Sequence, residues 1–556
     1  MLTALDKIVI YQIFTRLFGN RSQTRCPNGT IEQNGCGKMN DFSGVTLKRI
    51  HDLGATHIWF TGIIRHATTT DYSSFGIPRQ HAGVVKGRAG SPYAITDYYD
   101  VDPDLAVDVP NRMEEFRSLV ARTHKAGMKV IIDFVPNHVA REYHSVMKPK
   151  GMRDLGEDDN TSMHFSPQNN FYYCVNEPFS PSFDKGDYVE MPAKATGNDR
   201  FCNCPDRNDW YETVKLNYGV DYCDAGGRST HFSPVPSTWQ KMTDILLFWA
   251  AQGIDGFRCD MAEMVPSEFW SYATNEVKRH YPDLCFIGEV YNPSLYRTYL
   301  ASGFDWLYDK VGMYDCMRDV ICGRRPASAI TEQWQTVDDI KSHMLYFLEN
   351  HDEQRIASNF FCNDARLAVP AFLANALMSG NPLMIYAGQE FGERGMDAEG
   401  FSGCDGRTTI FDYWSLDSLQ HGYFNRKGLT HEERFIETEY KKILAIAKRR
   451  VVAEGDFFDL MYVNPKSADF NPATHYAFLR KTDDELLIVV ANFDNNDSHV
   501  KVVIPAHAFT FMNIIEGEYQ AEDLLSSHKQ TIRLMRDGNV EVHLKANAGA
   551  VLSIKI

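Results

Sequence analysis

The stretch Trp239–Asp260, WQKMTDILLFWAAQGIDGFRCD, joins a helix pattern directly to a strand pattern. Its first part carries apolar residues at helical spacing and ends at Gly253, a common type of helix stop. Its second part, Ile254–Asp260, is a short and largely apolar run typical of a buried strand. A helix that leads straight into a buried strand is the repeating unit of α/β folds with parallel sheets.

The same alternation runs from the amino terminus to about residue 450 and predicts eight buried strands. Eight strand–helix units are the number that closes a (β/α)8 TIM barrel, so we expect this fold. The candidate strands are Ile8–Phe14, Thr56–Gly62, Lys129–Val135, Ile254–Asp260, Cys285–Val290, Phe304–Asp309, Met344–Asn350 and Pro382–Gly388.

Two segments depart from the alternation. A segment rich in Asn, Asp, Pro and aromatic residues follows the third strand, and a loop of that length is usually functional or a small domain of its own. After residue 451, runs such as LLIVVANF and VLSIKI alternate with period two and predict an antiparallel β-sandwich. We therefore expect a barrel over residues 1–140 and 236–451, an inserted domain over 141–235 and a C-terminal domain over 452–556.

The charge distribution argues against nucleic acid as a partner. The formal net charge is −16, and no Lys/Arg block stands out from the background. No apolar run is long enough to cross a bilayer, so no membrane is expected as a partner either. The start of the chain shows no signal peptide, which favours the cytoplasm unless a leader has been removed.

The cysteines are expected to be mostly reduced thiols, with local disulfides in the region from Cys174 to Cys223 as the alternative.

Polar clusters follow four of the predicted strands. Because the carboxyl ends of barrel strands meet at one mouth, these side chains are expected to converge there, and carboxylates that share a pocket are costly unless they have a function. The clustered residues are Asp133, Asn137 and His138 after the third strand, Arg258 and Asp260 at the fourth, Glu289 at the fifth, and His351 and Asp352 at the seventh.

These clusters resemble the ordered motifs of the α-amylase superfamily, glycoside hydrolase family 13. The matching stretches are DFVPNH, GFRCD, GEV and NHD, in the same order and on the same strands. SPYAITDYYDVDPDL and VKLNYG resemble two further stretches of the family. The resemblance covers essentially the whole chain, with the insertion matching domain B and the β-sandwich matching domain C of that family.

The resemblance implies a catalytic role for three carboxylates. Asp260 matches the family's nucleophile, Glu289 its general acid/base, and Asp352 the carboxylate that stabilises the transition state. Arg258 matches the arginine that keeps the nucleophile charged. On this basis Arg258 is expected to hold the pKa of Asp260 down.

The resemblance also implies substrate and metal contacts. Tyr93 matches the sugar-stacking tyrosine, His138 and His351 match histidines that hydrogen-bond sugar hydroxyls, and Asp133 matches a supporting residue of the site. Asn137 matches a ligand of a structural Ca²⁺, a site that a domain B aspartate and a backbone carbonyl after the nucleophile complete. No organic cofactor is expected.

The expected activity is hydrolysis of α-1,4-glucosidic bonds in starch-like glucans and maltooligosaccharides, with retention of configuration through a covalent glycosyl-enzyme. A cyclomaltodextrinase, a neopullulanase or an α-glucanotransferase would use the same residues. MAEM stands after Asp260 where many α-amylases carry a Lys-His pair, and this region looks closer to the cyclomaltodextrinase and neopullulanase type. An inactive glucan-binding protein is the alternative outside enzymes.

Aromatic residues of the insertion have two interpretations. They could stack on the faces of sugar rings, or they could form the core of the insertion. The residues concerned are Tyr172, Tyr173, Trp210 and Tyr211.

Overall fold

The computed structural model of the protein describes residues 7–395 and 398–556. An eight-stranded parallel sheet forms its centre, with one strand from each predicted strand region. The strands are β1 Val9–Phe14, β2 His57–Thr61, β3 Lys129–Phe134, β4 Gly256–Cys259, β5 Cys285–Gly288, β6 Trp306–Tyr308, β7 Met344–Leu345 and β8 Leu383–Tyr386.

The sheet closes into a barrel. Its strand order is β7-β6-β5-β4-β3-β2-β1-β8, and a parallel bridge between Tyr346 and Leu383 joins the two ends. A separate apolar cluster that includes Ile10, Trp59, Ile131 and Ile287 fills its interior. The predicted TIM barrel is therefore confirmed.

Helices follow the strands and pack around the barrel. The predicted helix over NRMEEFRSLVARTHKAG is present and is followed by Gly127, whose positive φ of 85° ends the turn. The helices of six or more residues in the described part of the barrel are α1 Gly44–Leu53, α2 Arg112–Lys125, α3 Ser237–Ala250, α4 Ser267–His280, α5 Tyr296–Ala301, α6 Asp315–Ile321, α7 Ala329–Thr336, α8 Val369–Leu377 and α9 His431–Ala447. Within the described ranges, none of the helices is long and apolar enough to cross a membrane.

Strand β7 is much shorter than the predicted run Met344–Asn350. Pairing with β6 stops at Leu345, and Tyr346 adds a single bridge to Leu383. The chain then turns at Asn350, whose Oδ1 accepts the backbone N–H groups of Asp352 and Glu353 at 2.9 Å. An asparagine side chain that captures nearby backbone donors competes with strand pairing. This turn carries Asp352 to the mouth of the barrel.

The segment after β3 is built from short strand pairs. Strand His138–Ala140 continues the chain from the barrel and pairs with Thr213–Lys215, which places Lys215 opposite His138. Tyr173–Cys174 pairs with Ala193–Lys194. Arg141 is buried in this segment, with an ion pair of 2.8 Å to Glu190. The insertion is thus attached to the barrel next to a predicted site residue.

The C-terminal part forms antiparallel sheets, as predicted. The strands are β9 Asp456–Asp459, β10 His475–Lys481, β11 Glu485–Asn492, β12 Ser498–Ile504, β13 Gly517–Asp523, β14 Lys529–Leu534, β15 Gly538–Leu544 and β16 Ala548–Lys555. One sheet has the order β9-β10-β11-β16-β13-β14, and β12 pairs with β15.

Helix α8 packs against β11 and β16 and so joins the barrel to this sheet. The approach is close at Gly549, where a Cβ atom would lie 2.2 Å from Cδ2 of Leu373. The exact domain boundaries at residues 140, 235 and 451 remain predictions.

Candidate active site

A cavity of about 640 Å³ opens at the carboxyl end of the barrel strands. The three carboxylates expected to be catalytic, Asp260, Glu289 and Asp352, all line it. Tyr93, His138 and His351 also line it, whereas Arg258, Asp133 and Asn137 lie behind its wall. The fold therefore brings the predicted residues together from five separate parts of the chain, four of them at strand ends.

Arg258 lies among four carboxylates. Its Nη1 is 2.8 Å from Oδ1 of Asp260 and 3.5 Å from Oδ1 of Asp133. Its Nη2 is 2.7 Å from Oε2 of Glu289 and 4.0 Å from Oδ2 of Asp352. One cation thus compensates several negative charges that would otherwise repel one another in the pocket.

The strand register places Arg258 in this position. Arg258 in β4 pairs with Asp133 in β3, so both side chains point into the barrel at the same level. The guanidinium carbon lies 5.1 Å from the ring centre of Trp59 and 5.6 Å from that of Tyr308. Arg258 is completely buried, and these rings and carboxylates replace the water it loses.

The pKa of Asp260 differs from the expectation. Burial raises it well above its usual range, Arg258 opposes the rise, and the neighbouring carboxylates Glu289, Asp352 and Asp133 add to it. The expected effect of Arg258 is therefore present, because the guanidinium lowers this pKa, but burial outweighs it and the net pKa is raised. The physical reason is that one guanidinium shared by several buried carboxylates cannot offset the desolvation of each of them.

Glu289 is held by donors on both carboxylate oxygens. The backbone N–H of Met261 donates to Oε2 at 2.7 Å, and the hydroxyl of Tyr291 donates to Oε1 at 2.6 Å. Met261 has a φ of +43°, an unfavourable conformation for a residue with a side chain. The strained residue directly after Asp260 thus aims its N–H at Glu289.

Two histidines are buried in their neutral form. Burial lowers the pKa of His138 to about 3, and burial also lowers the pKa of His351 well below its usual range. The ring of His351 stacks on Tyr93 with centroids 5.3 Å apart, and its Nε2 contacts the Tyr93 hydroxyl. Neutral imidazoles can both donate and accept hydrogen bonds, which suits sugar hydroxyls.

Asp133 lies behind the cavity wall and holds other residues of the site in place. Nε1 of Trp59 donates to Oδ2 at 3.0 Å, and the Tyr93 hydroxyl donates to Oδ1 at 3.4 Å. Burial raises the pKa of Asp133 to about 6, with Arg258 acting in the opposite direction. Asp133 therefore orients Trp59, Tyr93 and Arg258 around the cavity.

Asp352 is the most exposed of the three cavity carboxylates. Its side chain is 38% exposed, and Oδ2 lies 3.0 Å from Nε2 of His351. Desolvation raises the pKa of Asp352, whereas Arg258 and Arg407 lower it, and Arg407 also lines the cavity. Asp352 is thus the carboxylate that a ligand in the cavity can reach most freely.

The surroundings of Asn137 do not fit the calcium ion that the resemblance implies. Oδ1 of Asn137 accepts a hydrogen bond from the ammonium group of Lys215, so a cation already contacts this oxygen. A divalent ion beside that ammonium would be repelled. Among residues 7–395 and 398–556, no three or more His, Cys, Asp or Glu side chains are grouped as a metal site.

The aromatic residues of the insertion divide between the two interpretations. Trp210 lines the cavity, and its ring centre lies 5.2 Å from that of His138. Tyr172, Tyr173 and Tyr211 are at least 95% buried, as expected for core residues.

The cysteines of the insertion are free thiols. They are Cys174, Cys202, Cys204 and Cys223.

Several cavity residues were not predicted from the sequence. Tyr291 lies two residues after Glu289, and this spacing on an extended chain was the one available signal. Phe401 and Arg407 come from the long loop after β8, and no motif marked them. Lys215, which contacts Asn137 behind the cavity wall, was not predicted either; it lies within the quoted stretch VKLNYG, but its contacts depend on the fold of the insertion.

A family model supports the resemblance. The model for the α-amylase catalytic domain matches residues 12–439, which include every barrel strand but the first part of β1. The chain belongs to the α-amylase family. This member of the family is therefore a glycoside hydrolase, as expected from the four motifs.

Two curated relatives and one solved structure illustrate its similarity. Neopullulanase 2 of Thermoactinomyces vulgaris is 24% identical over 535 residues, covering 92% of this chain and 73% of the relative. An α-amylase of Streptomyces lividans is 26% identical over 497 residues, covering 81% of this chain and half of the relative. The structure of an α-amylase from Geobacillus thermoleovorans complexed with acarbose has a TM-score of 0.66 at 19% identity, covering 100% of this chain and 99% of that one.

Proposed function

We propose that this member of the α-amylase family is a retaining hydrolase of α-1,4-glucosidic bonds in starch-like glucans and maltooligosaccharides. The observation that carries the proposal is the convergence of Asp260, Glu289 and Asp352 on one cavity around the buried Arg258. Three carboxylates with one arginine supply an acid, a nucleophile and negative charge for an oxocarbenium-like transition state.

In the first step, an oxygen of Asp260 attacks the anomeric carbon while the bond from that carbon to the leaving oxygen breaks. Glu289 gives its proton to the leaving oxygen, and a glycosyl ester forms on Asp260. In the second step, Glu289 takes a proton from water, the water oxygen bonds to the anomeric carbon, and the ester bond breaks. Two inversions at the same carbon retain its configuration.

The remaining side chains have binding roles in this proposal. The neutral rings of His138 and His351 hydrogen-bond hydroxyls of the sugar that is cleaved, and the Tyr93 ring packs against its face. Asp352, which is the most exposed of the three acids, contacts the sugar as positive charge develops. Asp133 and Arg258 keep these groups in place without contacting the substrate.

The proposed substrate class rests on chemistry and on relatives. A cavity lined by aromatic rings, carboxylates and neutral histidines suits an uncharged polyhydroxylated ligand. The Geobacillus thermoleovorans enzyme binds acarbose, a ligand named in its structure, and its fold matches this one. An oligosaccharide is therefore the proposed partner of the cavity.

A product profile tests the proposal. The enzyme is incubated with maltoheptaose, soluble starch, β-cyclodextrin and pullulan, and products are followed over time by anion-exchange chromatography, with Asp260→Asn as the control. Short maltooligosaccharides from maltoheptaose or starch that are absent with Asp260→Asn are expected. Products longer than the input would indicate a transferase, and no turnover of any substrate would favour a glucan-binding protein.

A second candidate is a hydrolase of the cyclomaltodextrinase or neopullulanase type. The loop after β8 meets the insertion beside the cavity, where the guanidinium carbon of Arg207 lies 5.8 Å from the ring centre of Phe401. A wall on this side favours short or cyclic substrates over a long chain that runs through the site. Faster hydrolysis of β-cyclodextrin or pullulan than of starch would favour this candidate.

A further inference from the structure

The ammonium group of Lys215 lies in a cage of oxygen atoms between the insertion and the barrel. Nζ is 2.7 Å from Oδ1 of Asp199 and donates to Oδ1 of Asn137 and, at 3.3 Å, to the carbonyl oxygen of Met264. The side chain of Lys215 is 2% exposed. The three oxygens come from the insertion, from the end of β3 and from the loop after β4.

The cage is matched to one ammonium ion. A lysine ammonium has three N–H donors, and three oxygens surround it here. Of these oxygens only that of Asp199 carries a charge, so one positive charge balances the group. A divalent ion at the same point would leave an uncompensated positive charge in a buried place.

The structure orients the oxygens toward Lys215. Nδ2 of Asn137 donates to the carbonyl oxygen of Gly197 at 2.8 Å, which turns Oδ1 toward the ammonium. Asn137 is fully buried. Strand pairing between Thr213–Lys215 and His138–Ala140 fixes the lysine backbone beside the cage.

The cage touches segments that carry cavity residues. Asn137 directly precedes His138, and its Nδ2 lies 3.2 Å from Nδ1 of that histidine. Met264 lies in the turn that begins after Asp260 and Met261. A change in the cage would therefore move both the nucleophile loop and a substrate-binding histidine.

We propose that Lys215 is a built-in cation that replaces a structural metal ion at this junction and positions the loops of Asp260 and His138. Its oxygen partners, an amide, a carboxylate and a backbone carbonyl, are of the kinds that Ca²⁺ prefers. The lysine side chain supplies the positive charge from within the chain, so stability and activity do not depend on a bound divalent ion. The proposal extends beyond the hydrolase function and is tested by stability as well as by turnover.

The first experiment uses the wild-type protein. The protein is dialysed against EDTA, and its Tm is measured without metal and with added CaCl₂ at constant ionic strength. The two Tm values are expected to agree. A Tm that falls on chelation and returns with CaCl₂ would overturn the proposal, whatever the substrate of the enzyme is.

The second experiment removes the ammonium. Lys215→Ala opens space beside the oxygens, whereas Lys215→Met keeps the volume of the side chain and removes only the charge. Without metal, both variants are expected to lose roughly 5–10 °C in Tm, because the buried Asn137 and the half-buried Asp199 lose their cationic partner. In both variants kcat is also expected to fall by a larger factor than KM rises.

Calcium distinguishes the two variants. CaCl₂ is expected to restore part of the Tm of Lys215→Ala, with heat of binding in titration calorimetry, because the oxygens regain a cation although one of its charges stays uncompensated. It is expected to leave the Tm of Lys215→Met unchanged. MgCl₂ is expected to restore less because it demands a smaller, regular octahedral site. Adding Asp199→Asn to Lys215→Ala is expected to abolish the rescue.

The exposed Lys150 provides the matched control, since Lys150→Ala removes a lysine from the same insertion. This variant is expected to keep the wild-type Tm in EDTA and in CaCl₂. A Lys215→Ala protein as stable as Lys150→Ala without metal would overturn the proposal. If Lys215→Ala does not fold, the wild-type and Lys215→Met measurements still decide it.

Discussion

The hydroxyl of Tyr291 donates a 2.6 Å hydrogen bond to Oε1 of Glu289. Tyr291 lies at the wall of the cavity, so this bond holds the proposed acid/base toward the substrate. A position fixed to within fractions of an ångström is needed for proton transfer in the transition state.

Tyr291→Phe is therefore expected to lower kcat/KM on maltoheptaose up to roughly tenfold, since a hydrogen bond contributes about 0.5–1.5 kcal/mol and about 1.4 kcal/mol is a factor of ten in rate. The ring and its packing remain, so Tm is expected to stay near the wild-type value. Tyr272→Phe, at an exposed tyrosine on α4, is the matched control. Equal kcat/KM for both variants would contradict a positioning role for Tyr291.

Glu289→Gln and Asp260→Asn are expected to separate the two catalytic roles. Glu289→Gln is expected to lower turnover of maltoheptaose about 10²–10⁴-fold because no group protonates the leaving oxygen. With α-maltosyl fluoride the leaving fluoride needs no proton, so a glycosyl ester should accumulate on Asp260 and be visible by mass spectrometry. Asp260→Asn is expected to form no ester with either substrate, and an ester on another residue would refute the assignment.

Asp133 is expected to make stability depend on pH. Its pKa is about 6 in the folded protein against an ordinary 3.8, so the folded state binds the proton more tightly. The contribution of protonated Asp133 to the free energy of unfolding is complete below about pH 4 and is lost as the pH rises through about 6. This contribution amounts to roughly 3 kcal/mol.

The measurement is urea unfolding of wild type and Asp133→Asn between pH 4 and pH 7. As the pH rises, the free energy of unfolding of Asp133→Asn should increase relative to that of wild type, because the asparagine does not ionise. As a control at an exposed position, Asp184→Asn should show the same change in the free energy of unfolding with pH as wild type. A difference between Asp133→Asn and wild type that is constant with pH would show that Asp133 does not contribute this dependence.

Met261 adopts a φ of +43°, which costs about 1–2 kcal/mol for a residue with a Cβ atom. Met261→Gly is therefore expected to be about 1 kcal/mol more stable to unfolding than Met261→Ala, although both lack the side chain. At Met264, which has no positive φ, the order should reverse, because glycine there only adds chain entropy. The same order at both positions would contradict the strain at Met261.

Trp210 and Tyr172 are expected to respond differently to removal. Trp210 faces the cavity, so Trp210→Ala should lower kcat/KM on maltoheptaose about tenfold through lost stacking, with little change in Tm. Tyr172 is 2% exposed, so Tyr172→Ala should lower the free energy of unfolding by about 3 kcal/mol. Loss of stability in Trp210→Ala without a change in KM or kcat would assign that residue to the core instead.

The periodic signals in the sequence predicted the barrel because local patterns determine strands and helices. The run Ile254–Asp260 after a helix pattern predicted β4, and the polar residues at its end predicted where Arg258 and Asp260 would point. Side-chain direction on a strand follows from its period of two, so this part of the site was available without tertiary information. The same reasoning predicted the direction in which Arg258 acts on the pKa of Asp260 but not the net rise, which comes first from burial and then from the neighbouring carboxylates.

The sequence by itself therefore determined the barrel, the C-terminal sheets and the convergence of the acids at one mouth, because each follows from periodicity and from the common edge of parallel strands. Only the tertiary structure decided that Lys215 contacts Asn137, that Tyr291 turns its hydroxyl toward Glu289, and that the loop after β8 meets the insertion near Phe401. These contacts join segments far apart in the chain or depend on irregular loops. Their geometry is set by packing between segments, which leaves no periodic trace in the sequence.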